Sequence, residues 1–168
     1  GAADLGSAAR IDLGQRRANA AVTLLQLGER KNVLPVFEMT DDPEALTQFI
    51  FGCRPRKVKM DALLDCLAFV NEHSTDRYRN SARYALLLAL GEFPFDDIPA
   101  PQRNALLAQL ADWYAHDRSS AVHSAASWLL RQWGQFDVVS RIDQTPTDYS
   151  PDREWYTLSI PITKGDPQ

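Results

Sequence analysis

His116 and Asp117 stand side by side, with His123 seven residues further on. A His–Asp dipeptide suits metal-dependent phosphate hydrolysis, in which imidazole and carboxylate share a cation. That chemistry needs further histidines and a distant aspartate. The chain has three histidines, His73, His116 and His123, and no such set surrounds the dipeptide. Asp117 reads instead as the N-cap of a helix starting near Arg118. The carboxylate pairs Asp41–Asp42 and Asp96–Asp97 have the composition for general acid–base work. Each lies in a loop before a helix-forming stretch, where aspartate commonly caps and turns the chain. Cys53 and Cys66 lack zinc spacing, and nucleophile-elbow, P-loop and dinucleotide-binding motifs are absent. These patterns assign no catalytic, cofactor-binding or metal-binding residue.

Two groups have the composition of a binding surface. The stretch CRPRKVK, 53–59, gathers Arg54, Arg56, Lys57 and Lys59 beside a helix start. Such a cluster can hold a phosphate or an acidic protein segment, and it equally suits a solvated turn. In SAASWLLRQWGQ, 124–135, Trp128 and Trp133 flank Arg131. Aromatic rings at helical spacing usually fill a core. Arg131 falls on the polar stripe with Ser120, Ser124 and Ser127, so it faces a groove or turn. Arg54, Arg56, Lys57, Lys59 and Arg131 are therefore the candidate partner-binding residues.

The elements that must position these groups are helices. RRANAAVTLLQLG (16–28), SARYALLLALG (81–91) and SAASWLLRQWG (124–134) each place a narrow polar stripe on an otherwise apolar cylinder. Each ends in glycine, the residue that takes positive φ at a helix C-terminus without steric cost. DDPEALTQFIFG (41–52) is a shorter version, with Asp42 as N-cap and Pro43 in the first turn. Gly28, Gly52, Gly91 and Gly134 are 24, 39 and 43 residues apart. The last two spacings lie near the ~40–47-residue period of HEAT and armadillo repeats. Amphipathic stretches at 30–38, 58–71, 101–115 and 135–143 alternate with these helices, Pro35 limiting the first. The pattern predicts an all-α protein, a short α-solenoid of antiparallel helix pairs over 1–144. Residues 145–168 form a Pro/Ser/Asp-rich linker and an extended segment. Within it, 155–163 has strand alternation, and Pro161 confines it to an edge.

Bulk properties narrow the partners. The 168-residue chain carries a formal net charge of −4, which argues against nucleic acid held mainly by phosphate contacts. No run approaches the ~18 apolar residues of a membrane span, and GAADLGSAARIDLG lacks signal-peptide character. Two cysteines fit a reducing, cytoplasmic compartment. The expected partner is protein, and no cofactor is expected. The chain is expected to be part of a longer protein.

RRANAAVTLLQLG, DDPEALTQFIFG, SARYALLLALGEF, AVHSAASWLLRQWGQ and REWYTLSIPI together resemble a HEAT-like helical region of large planctomycete-type bacterial proteins. In those proteins the region lies between an N-terminal module, often a Ser/Thr kinase, and a formylglycine-generating-enzyme-like domain. The resemblance covers about residues 16–157 and is sharpest at 87–93 and 125–135. It implies a non-catalytic scaffold or spacer, with Arg153, Trp155 and Tyr156 at the approach to a downstream domain. The competing expectation is an enzyme on a HEAT-like scaffold, of the alkylpurine DNA glycosylase kind. Trp113, Trp128, Asp117 and Arg131 supply its residue types.

Overall fold

The computed structural model describes residues 6–158, apart from the side chains of residues 7, 76 and 77. The described residues form an all-helical fold. Its α-helices are α1 (Ser7–Gln26), α2 (Arg30–Val33), α3 (Glu44–Gly52), α4 (Met60–His73), α5 (Asp76–Gly91), α6 (Ala100–His116), α7 (Ser120–Gln132) and α8 (Phe136–Asp143). Pro35 lacks an N–H and crowds the preceding turn, so α2 gives way to a 3-10 turn over Leu34–Phe37. Pro101 lies in the first turn of α6, where no backbone donor is missed. α3 begins at Glu44, so Pro43, not Asp42, occupies the N-cap position; Asp42 lies one residue outside, where its Oδ1 accepts the Glu44 N–H at 3.1 Å.

α1 and α5 begin earlier than the apolar pattern indicates: residues 8–12 are exposed and DRYRN, 76–80, is polar, so neither opening carries an apolar stripe. The glycine-ended helices divide into two kinds. Gly28 and Gly134 take φ of 77° and 71°. The following amides, Glu29 and Gln135, bond back to Leu24 and Leu130 carbonyls at 2.9 and 2.8 Å, closing each helix in a left-handed cap. Gly52 and Gly91 are instead the last helical residues. There glycine serves close approach, since a Cβ would enter the Arg56 guanidinium or the Trp128 ring respectively. Gly14, buried within α1, does the same against the Glu44 side chain, whose Cγ is the nearest atom, and the start of α3. A Cβ on it would stand 2.8 Å from Glu44 Cβ and 3.2 Å from the Ala45 nitrogen.

α1 packs on α3, and α5 on α3, α4 and α7; α7 also meets α6 and α8. The buried side chains form one continuous cluster from Ala18 to Val139. Ala82, Ala85 and Ala89 on α5 are fully buried, and their small size lets neighbouring axes come close. Phe37 and Phe49 meet edge to face at 5.2 Å. Trp133 is buried, donates its indole N–H to the Phe93 carbonyl at 3.1 Å and lies 5.6 Å from the Phe95 ring. It fills a core interface, as aromatic spacing predicts. Trp128 is 37% exposed and covers Gly91. Cys53 and Cys66 are free and buried, and burial pushes both thiols up to about 12. They behave as small hydrophobes.

The one charge in SARYALLLALG enters this interior. Arg83 donates from Nε to Asn71 Oδ1 of α4 at 2.8 Å and from Nη1 to Asp117 Oδ2 at 3.4 Å. Its guanidinium lies 4.8 Å from the Trp113 ring centroid on α6. The Arg83 and Asp117 side chains are 17% and 12% exposed. Burial lowers the basicity of Arg83, and the Asp117 charge works against that shift.

Two substitutions test this packing. Gly14→Ala gains about 1 kcal/mol of helix propensity but pushes α1 off α3. Urea denaturation should therefore show a net loss of about 1–2 kcal/mol, typical of overpacking at a tight contact. Arg83→Met keeps much of the apolar stem yet strands the Asp117 carboxylate. We expect a loss of about 2–3 kcal/mol in the same measurement.

Candidate functional site

The richest cluster of polar and aromatic groups lies where α6, α7 and α8 meet the C-terminal segment. Residues 145–158 form no strand; residues 159–163 of the expected strand lie outside the described residues. The segment folds back over the turn joining α6 to α7. Glu154 N–H donates to the Arg118 carbonyl at 3.0 Å, and Trp155 Nε1–H to the Asp117 carbonyl at 2.7 Å. The Trp155 ring stacks on His123 at 3.6 Å between centroids and 21° between planes. Arg153 covers it at 5.1 Å. Thr157 N–H donates to the Thr147 carbonyl at 3.0 Å, closing the segment into a loop.

The cap of α7 differs from its sequence assignment. The helix begins at Ser120, two residues later than expected, so Asp117 lies outside the N-cap position. Asp117 Oδ1 accepts the Ser119 N–H at 2.9 Å, while Oδ2 takes Arg83. Ser119 makes no side-chain capping bond. Glu154 supplies it from the far segment: its Oε2 accepts from the Ser120 N–H at 2.8 Å and from Ser120 Oγ at 3.0 Å. A carboxylate there also complements the positive end of the helix dipole.

Beneath the segment lies a cavity of about 580 Å³, bordered by Tyr114, His123, Arg141, Asp143, Arg153 and Trp155 among others. That size lies within the range of small-molecule sites. Tyr114 Oη donates to Asp143 Oδ1, and Asp143 Oδ2 accepts from Arg131 Nη2 at 3.2 Å. Burial, followed by the bond to Asp143, raises the Tyr114 phenol above its ordinary value. His123 Nδ1 lies 2.7 Å from the Tyr114 carbonyl, so this nitrogen carries the proton. Burial holds the imidazole below its ordinary value of 6.5.

The structure keeps the candidate partner-binding residues in different settings. Arg54, Arg56, Lys57 and Lys59 are all exposed on the turn between α3 and α4. Lys57 takes a left-handed φ of 57°, and Arg56 folds back, 3.3 Å from the Gly52 carbonyl. Arg54 borders a second cavity of about 270 Å³ with Phe93, Phe95 and Trp133. Arg131 belongs to the first cluster through Asp143. Trp113 and Asp117 both meet Arg83, whereas Trp128 covers Gly91, two turns further along α5. Among the described residues, no group of three His, Cys, Asp or Glu residues gathers around a point that could hold a metal. No described helix is long and apolar enough to cross a membrane.

His123, Tyr114, Asp143, Glu154 and Trp155 escape motif reasoning because they converge from four separate elements. One signal was available: a tryptophan in a polar stretch must find apolar cover and a hydrogen-bond acceptor. Comparison with protein families, curated proteins and solved structures finds no match to this chain.

The His123 environment has a pH consequence. A neutral imidazole is favoured in the folded state, so its contribution is complete above 6.5. It is lost as pH falls through 6.5 toward the lowered folded value. Thermal stability should decrease across that window, and His123→Phe should flatten the decrease; calorimetry at stepped pH measures both.

Proposed function

We propose that this chain is a non-catalytic helical-repeat scaffold that sets the direction in which neighbouring segments leave it. On this reading α4–α5 and α6–α7 are antiparallel pairs of a short HEAT- or armadillo-like solenoid. The chain belongs to a larger, cytoplasmic, multidomain bacterial protein with the kinase-like and formylglycine-generating-enzyme-like architecture implied by the resemblance. The carrying observation is the anchored C-terminal segment. A flexible linker would leave Trp155 in water, whereas here the indole is stacked and hydrogen-bonded, and Glu154 completes the start of α7. Chain passing through Leu158 therefore departs from a fixed point. The exposed cations Arg54, Arg56, Lys57 and Lys59 present a surface to an acidic protein partner.

Spin labels on cysteines introduced at Gln132 and Tyr156 test the anchoring. Cys53 and Cys66 are buried and react slowly, so the labels report the new positions. Pulsed electron–electron resonance should give one narrow distance distribution. Trp155→Ala should broaden it while leaving far-ultraviolet circular dichroism nearly unchanged. A broad distribution in the otherwise unaltered chain contradicts a scaffold that sets direction.

A further inference from the structure

We propose that the cavity between α8 and the 145–157 segment is a binding site for a small organic monocarboxylate. The first observation is an excess of unanswered donors. Arg141 borders the cavity and makes no ion pair or hydrogen bond among the described residues. Arg153 also borders it and has no carboxylate partner there. Its Nη1 makes one long bond, 3.4 Å, to the Asp148 carbonyl. Its Nε is shut away from solvent with no acceptor. Arg153 thus brings to the cavity wall a guanidinium short of acceptors. Guanidinium groups are also suited by geometry to planar carboxylates.

The second observation is the charge balance. Asp143 borders the cavity, but its oxygens are already engaged by Tyr114 and Arg131. Asp148 also borders it, and its carboxylate has no ion pair among the described residues. One acidic group set against Arg141 and Arg153 leaves a single positive charge to satisfy. This balance favours one carboxylate over a phosphate dianion. The third observation is the rest of the wall. Ile142 and Pro146 supply apolar surface for the body of the ligand. The Trp155 ring, already in contact with His123 and Arg153, also borders the cavity. Cationic pole and apolar wall together define an amphiphilic acid of modest size.

The site rests on the cavity and its side chains alone; the scaffold reading stands or falls separately, on the anchoring distances. Titration of the whole chain with phenylacetate and hexanoate tests it, followed by nitrogen–proton correlation spectra and ligand-observed saturation transfer. Phenylacetamide serves as the neutral control and inorganic phosphate as the competing anion. We expect at least one carboxylate to bind with a dissociation constant on the order of millimolar, reasonable for so small a ligand. It should shift the Arg141 and Ile142 amides and the Trp155 indole. Arg141→Gln should weaken binding about tenfold, the worth of one charge-assisted hydrogen bond. Because Arg141 is exposed on α8 with no partner among the described residues, this variant should keep its fold. Arg153→Lys, which retains charge but not the planar guanidinium, should weaken binding by a smaller factor. Four results would each overturn the assignment: neither acid responding by about 20 mM, equal binding of phenylacetamide, displacement of the acid by phosphate at equal concentration, or undiminished affinity in Arg141→Gln.

Discussion

A guanidinium brought partly into the interior has to be answered by acceptors, and the answer given to Arg83 organises much of this molecule. One acceptor comes from α4 and another from the turn after α6, while the Trp113 ring lies alongside. The charged contact therefore fixes three helices relative to one another, where apolar packing alone would allow sliding. Asp117 passes the constraint on. Its carboxylate holds Arg83 and the Ser119 amide, and its carbonyl receives Trp155. The turn between α6 and α7 is thus the point at which the helical core and the C-terminal segment are joined.

The helices were legible in the sequence because their signal is periodic and local. Three- and four-residue spacing located all the longer ones, and Pro35, Pro43 and Pro101 marked boundaries for reasons internal to proline. Errors arose where an explanation required a second element. Gly91 carries a helix-ending signal, yet it is bare because Trp128 lies over it. Gly14 carries no signal in a helical stretch, and its reason is Glu44 at the start of α3. Asp117 has the right type for a cap, but α7 starts at Ser120, and Asp117 turns the chain ahead of it with one oxygen on Ser119 and the other on Arg83. In each case a local preference was redirected by a partner distant in the chain.

The candidate site was less legible for the same reason. The basic turn at 53–59 stood out because its charges are adjacent, and the structure leaves those charges in solvent. The more elaborate arrangement joins Tyr114, His123, Asp143 and Trp155, which share no motif. Of the candidate partner-binding residues Arg131 alone reaches it, as the ion partner of Asp143; His123 and Trp155 had drawn notice for other reasons. The contrast follows from entropy: neighbouring charges need no folding to be close, whereas a convergent network exists only after loop closure has been offset by packing.

Glu154 bonding across thirty-four residues to the start of α7 has a mechanical side. Tension applied at Leu158 reaches the helices first through the Glu154 carboxylate and the Trp155 indole, which are short-range and brittle contacts. Their rupture would free a length of slack before any helix is disturbed. The segment would then behave as a fuse, yielding at modest force while the load on the core drops.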